Sequence, residues 1–210
     1  VLIIVPSFFI KGSGNKKVDK KFLFYFALIG LGYISIQIAL IQKFTLFLGQ
    51  PVYTLLTVVS TMLIFSGIGA KYSDRFAGKF KLSYIFLIVA GYIMLLGLLI
   101  PVLFASMVSL SLFLRIIITV ILLAPLSFFM GMPFPKGISL LANDDSRMIG
   151  FSWAVNGFFS VLGTVLTMIF AMMFGFKLVF FFAGVYYLFA MIFITIRNKN
   201  NLVNLQDTLQ

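Results

Sequence analysis

The chain contains no cysteine and no histidine, and its five acidic residues are all aspartates, so glutamate is missing too. Without cysteine there is no disulfide, thiolate metal site or cysteine nucleophile. Without histidine, the usual zinc ligand and the commonest general base are gone. The five carboxylates, Asp19, Asp74, Asp144, Asp145 and Asp207, all fall outside the long apolar runs. The sequence therefore offers no catalytic residue, no metal site and no cofactor site.

What is present is apolar. Hydrophobic residues make up 62% of the 210 positions, well above the roughly 45–50% of soluble domains. They gather into six runs: Phe22–Gln42, Val52–Ala70, Ser83–Phe104, Met107–Met130, Phe151–Phe174 and Lys177–Ile196. Crossing about 30 Å of hydrocarbon takes roughly 20 helical residues, and each run has about that length. Backbone amides in lipid must be paired within their own segment, so the runs are expected to be helices. The expected fold is an all-α integral membrane protein with a bundle of six transmembrane helices.

The net charge of +11 is spread over loops rather than gathered on one face. Nucleic-acid binding, which needs a basic patch, is therefore not expected. Alternate loops are unequal: thirteen basic residues fall on one side, counted from Lys11–Lys21, Lys71–Lys81, Lys136 with Arg147, and Arg197 with Lys199. Only Lys43 and Lys177 fall on the other. The positive-inside rule makes the richer side cytoplasmic, with anionic headgroups as partners of the basic loops. Six crossings with both ends cytoplasmic is the layout of one half of a major-facilitator-type transporter. Many unrelated six-helix proteins share it.

Residues 1–10 are apolar but too short to span, and are expected to be the end of a truncated preceding transmembrane helix. Residues 11–21 read as a basic cytoplasmic linker, 22–197 as the six-helix membrane domain, and 198–210 as a cytoplasmic tail.

A few residues stand out against this background. Apart from Lys177 at the very start of its run, Arg115 is the only charge inside an apolar run; it either faces a substrate path or snorkels to the nearer interface. Gln37 shares a helical face with Gly30 and Tyr33, which suits interhelical hydrogen bonding more than ligand contact. Trp153, Asn156, Ser160, Gly163 and Thr167 recur at three- and four-residue steps and form a small, polar stripe. Gly157, Ser160 and Gly163 suit close helix packing, while Trp153 and Asn156 join Gln37 and Arg115 as substrate-path candidates. Trp153 also suits an interfacial anchor. Pro101 and Pro125 are expected to interrupt and kink helices, acting as hinges. Gly131-Met132-Pro133-Phe134-Pro135-Lys136-Gly137 is expected to form a rigid turn rather than a regular helix, and Asp144 or Asp145 to cap a short helix leading to Phe151.

The loop-like stretch Gly69–Lys81, with Asp74 and Arg75 adjacent, is similar to the loop signature of major-facilitator transporters, although its spacing is one residue longer on each side of the pair. Three blocks carry a more specific resemblance. They are Tyr25–Tyr33 continuing through Ile36–Phe44, Leu46–Tyr53 with Phe65–Gly69, and Gly131–Gly137 with Trp153–Gly157 and Ser160–Gly163. Together they resemble the C-terminal membrane region of bacterial fused major-facilitator and spermidine synthase-like proteins. The resemblance implies an upstream domain similar to aminopropyltransferases, which would hold any transferase activity. It also implies a bacterial inner-membrane location and a module that moves a polyamine or related small metabolite. The alternative is a non-transporting anchor for the upstream domain. A second membrane half is a further partner the resemblance allows. Two positions depart from its pattern: Gln37 stands where a Glu is expected and Gln50 where a His is expected, which removes any proton relay through them.

Overall fold

In a computed structural model of the chain, residues 20–79, 82–141 and 146–207 are described. They form seven helices: α1 Lys20–Leu48, α2 Pro51–Lys79, α3 Leu82–Met107, α4 Leu112–Met130, α5 Pro133–Leu141, α6 Ser146–Phe174 and α7 Phe176–Asp207. With α4 and α5 taken as one apolar stretch, six segments are long and apolar enough to cross a bilayer. The protein is an all-α, multi-pass membrane bundle, and no strand occurs among the described residues.

The helices end where the backbone chemistry stops them. Gly49 and Gly175 sit in the left-handed region at φ +80°, a conformation that costs glycine little. Their N–H groups bond the carbonyls of Thr45 and Ala171 at 3.0 and 2.9 Å, closing the last turns of α1 and α6. Pro51 then opens α2, where a missing N–H costs nothing. Both tight turns lie at the lysine-poor end of the bundle.

The α1 helix is the hub. It packs on α6 and α7 along much of its length and also touches α2, α3, α4 and α5. Around it, α3 packs on α7, and α2 packs on α4. The core follows: Tyr25, Phe26, Ile36, Leu40 and Phe44 of α1 are fully buried, with Phe86 of α3 and Tyr187 of α7. At the lysine-poor end, Phe47 stacks on Phe104 with centroids 4.4 Å apart and rings 7° from parallel. Large apolar side chains such as Leu98, Phe113, Val161 and Met172 cover the outside, as lipid contact requires.

Lipid tails are as apolar as leucine, so association between these helices rests on close packing and polar contacts rather than on water exclusion. The α2–α4 pair shows this most clearly. A β-carbon at Gly69 would collide with the Phe128 carbonyl, and one at Gly131 would collide with the Ser66 backbone. The two backbones touch reciprocally, and only glycine at both points lets them do so.

Several expectations are corrected here. Pro101 and Pro125 do not interrupt their helices; α3 and α4 run through them. Beside Pro125, the Leu122 carbonyl accepts a hydrogen bond from the Tyr92 hydroxyl of α3 at 2.9 Å; the carbonyl deprived of its intrahelical bond by the missing Pro125 N–H is that of Ile121, one residue earlier. The Pro133–Gly137 segment is not a turn but the start of α5, and only Gly131 and Met132 separate it from α4. Pro133 and Pro135 both fall in the first turn of α5, where their missing N–H groups would have had no intrahelical partner. The stretch from Gly69 is helical to Lys79, so Asp74 and Arg75 lie in the last turns of α2 rather than in a loop. Residues 198–207, expected as a tail, continue α7. The segment 1–10, most of the linker 11–21, and Asp144 and Asp145 lie outside the described residues.

The reciprocal glycine contact generates a test. Gly69→Val and Gly131→Val should each lower stability by about 1–3 kcal/mol, the usual cost of overpacking. Gly67→Val, at a position whose β-carbon would meet nothing within 4 Å, should leave it unchanged. Thermal unfolding of purified protein in detergent reads the difference.

Candidate functional site

At the lysine-rich end of the bundle, α1, α2, α5 and α6 diverge around a cavity of about 860 Å³. The α1 helix contributes Ile29, Gly30 and Tyr33; α2 contributes Leu63, Ser66, Gly67 and Ala70; α6 contributes Trp153, Asn156 and Ser160. The end of α4 and the first turns of α5 close one side with Met130, Gly131, Phe134, Pro135, Ile138 and Ser139. Tyr33 is thirteen residues into α1, so the cavity reaches about 20 Å from that end at 1.5 Å per residue. Its volume lies in the usual range of small-molecule sites, about 300–1,000 Å³. The lining is mainly apolar and aromatic with a few hydroxyls and one amide, and none of its residues is charged.

An aromatic ladder joins the core to this cavity. Tyr25 meets Phe26 edge to face at 5.1 Å, Phe26 meets Phe134 at 5.4 Å, and Phe134 meets Trp153 at 4.6 Å. The Tyr25 hydroxyl donates to the Pro133 carbonyl at 2.7 Å, fixing the start of α5 onto α1. At the exposed edge, Lys136 of α5 pairs with Asp74 of α2 at 3.1 Å. The Asp74 side chain is 80% exposed, and such a surface pair is worth about 0–1 kcal/mol. It orients α5 weakly; the buried phenol holds it.

The sequence-derived candidates divide sharply. Trp153 and Asn156 line the cavity. Asn156 is also structural: its amide donates to the Phe26 carbonyl at 3.0 Å, and a β-carbon at Gly30 would strike the Asn156 backbone. Ser160 and Gly163 continue this seam, Gly163 lying against Leu31 and Ile34, and Thr167 closes it with a 2.8 Å bond to Ser35. Gly157 is different. It is exposed, with nothing within 4 Å of where its β-carbon would sit, so it makes no close helix contact among the described residues. Gln37 is half-buried on α1, one turn beyond Tyr33, and does not line the cavity.

Arg115 lies at the opposite end and does not reach the cavity. Its Nη1 donates to the Phe47 carbonyl at 2.7 Å and its Nε to the Leu110 carbonyl at 3.0 Å. The Phe47 carbonyl belongs to the last turn of α1, where no intrahelical N–H remains for it and the helix dipole is negative. The guanidinium therefore caps α1 from the start of α4, and its cost in lipid is offset by two charge-assisted bonds.

Tyr33, Ser66, Phe134 and Ser139 line the cavity but were not singled out as site residues from the sequence. The available signals were the i, i+3 spacing of Gly30 and Tyr33, and the position of Phe134 between two prolines. No protein-family model matches the chain, and no curated protein or solved structure matches it significantly.

The capping role of Arg115 has a measurable consequence. Arg115→Gln should destabilise the protein by about 1.5–3 kcal/mol, the range for hydrogen bonds to charged groups. Arg115→Lys, with a single point-like donor group, should recover only part of that loss. Thermal unfolding in detergent separates the three proteins.

Proposed function

We propose that this chain is a transporter-like module of a bacterial inner membrane. Its lysine-rich ends would be cytoplasmic, and the cavity beside Trp153 would be its cargo site. The observation that carries the reading is the cavity itself. A pure anchor has no need of an 860 Å³ recess set among the first turns of several spans. The placement of α5 supports it as well, because Pro133, Phe134 and Pro135 begin a short, separate helix at the mouth of that recess.

The resemblance to spermidine synthase-like fusion proteins would make the cargo a polyamine or a related metabolite, and would place an aminopropyltransferase-like domain or a second membrane half beside this module. Cation recognition here would rest on the π faces of Trp153, Phe134 and Tyr33, worth about 0.5–2 kcal/mol each, because no carboxylate lines the cavity. The second reading is a non-transporting anchor for a synthase-like domain. It is favoured by one specific fact: Arg115 and Asn156, two of the polar groups within the spans, are both spent on helix packing.

Flux measurements on proteoliposomes distinguish the two. Trp153→Ala should reduce transport about tenfold, equivalent to about 1.4 kcal/mol, at unchanged protein content. No flux of spermidine or of any product of a synthase-like domain, in wild type and variant alike, favours the anchor.

A further inference from the structure

None of the charges near the cavity selects an ion for it. Its lining is uncharged, and Asp74, one turn beyond Ala70 on the cavity face of α2, is paired with Lys136. At about 100° per residue, Lys71 and Arg75 lie off that face, and Lys71 stands over the Tyr72 ring instead. The hydroxyl protons of the lining are already used within the protein. Ser66, Ser139 and Ser160 each donate to a carbonyl of their own helix, and the Tyr33 hydroxyl is hydrogen-bonded with Ser66. A carboxylate or an ammonium entering here would lose its hydration with no opposite charge to meet, which is costly.

One polar group is left over. On α1 the lining ends at Tyr33, and Gln37 follows one turn deeper. At about 100° per residue its direction falls between those of Gly30 and Tyr33, so it faces the same cleft. It is half-buried and makes no hydrogen bond. Side chains on a helix lean toward its N-terminus, which on α1 is the lysine-rich end, so the amide leans back toward the cavity. An amide within a bilayer needs both a donor and an acceptor, and a hydroxyl supplies both.

We propose that the cavity binds an uncharged, largely apolar molecule whose polar group is a hydroxyl, held past Tyr33 by the Gln37 amide. The apolar body lies along Leu63, Phe134 and Trp153. This inference deepens the cargo-site reading and rests on the same cavity, but it concerns binding and requires neither flux nor a polyamine. Gln37 is then the residue that sets specificity, and the remaining walls select by shape.

Trp153 is the only tryptophan of the chain and 62% exposed, so its fluorescence reports on the cavity. The protein in nanodiscs of zwitterionic lipid is titrated with four dibrominated C18 probes, whose bromines quench indole on contact: the alcohol, the alkane, the ionised acid and the protonated amine. Saturable quenching is expected, with the alcohol binding about tenfold more tightly than the other three. Gln37→Met, close in length and without hydrogen-bonding groups, should bring the alcohol to the affinity of the alkane and leave the alkane unchanged. Gly67→Phe should abolish saturation by filling the cavity; the space around the Gly67 β-carbon is open, and an unchanged unfolding temperature verifies that each variant folds. A brominated diacylglycerol placed in the nanodisc identifies the source: saturable quenching by it as well assigns the ligand to the bilayer, and by the alcohol alone to a free metabolite, the proposal holding in both cases. Equal affinity for alcohol and alkane overturns it, as does acid or amine binding as tightly as the alcohol. Selectivity that survives Gln37→Met, or quenching that rises linearly and ignores Gly67→Phe, overturns it too. Selective binding without transport removes the transporter reading alone, and transport without this selectivity removes the present proposal alone.

Discussion

The Asn156 amide reaching the Phe26 carbonyl, across the gap that Gly30 leaves open, is the contact on which the rest of the bundle depends. In a bilayer, packing helices together gains little from excluding solvent, so the gain comes from backbones that approach closely and polar groups that find partners. The α1–α6 seam does both. Asn156 donates to α1, Ser160 and Gly163 keep the two backbones close, and Thr167 bonds Ser35. With α1 held in this way, its other faces receive α7 and α3, and the tyrosine at position 25 positions α5. The cavity is a consequence: α6 is pinned to α1 along one stripe, α2 is pinned to α4 by the Gly69 and Gly131 contact, and the two pairs diverge toward the lysine-rich end.

Polar groups within the spans are used economically. Arg115 caps α1, Tyr92 ties α3 to the Leu122 carbonyl of α4, and Tyr25 holds Pro133. Arg115 answers a carbonyl that a helix end has left without an intrahelical partner, while the two tyrosines add a second bond to carbonyls of neighbouring helices. The cavity is left with aromatic faces, hydroxyls and one amide, and its charge lies at the rim.

Much of the fold was legible because lipid constrains sequence severely. Six apolar runs, separated by breaks that are charged or glycine-containing except at Ala105-Ser106, give six spans, and the polar stripe at three- and four-residue steps on α6 identified the face that meets α1. The errors fall where two physical effects compete. Pro133 and Pro135 look like helix breakers by type, yet in a first turn they begin a helix. Gly69–Lys79 is charged enough to read as a loop, yet it contains no proline and simply extends α2 beyond the apolar span. Gly157 shares the step pattern of the packing stripe but lies on its edge, facing away from α1. Arg115 drew attention as the lone buried charge; its sequence position could not reveal that the end of α1, nearly seventy residues earlier, supplies its acceptor. The cavity was the least legible feature, since it is defined by where four helices fail to touch.

The central claim is that a lipid-spanning bundle hubbed on α1 holds a recess in its lysine-rich half. The absence of native cysteine allows single cysteines to be placed without background, at Gly67 in the recess and at Leu46, 75% exposed near the far end of α1. With a charged maleimide and sealed vesicles of both orientations, the account predicts that Gly67→Cys labels only in inside-out vesicles and Leu46→Cys only in right-side-out ones. Labelling of Gly67→Cys from the Leu46 side, or from neither side, would contradict it.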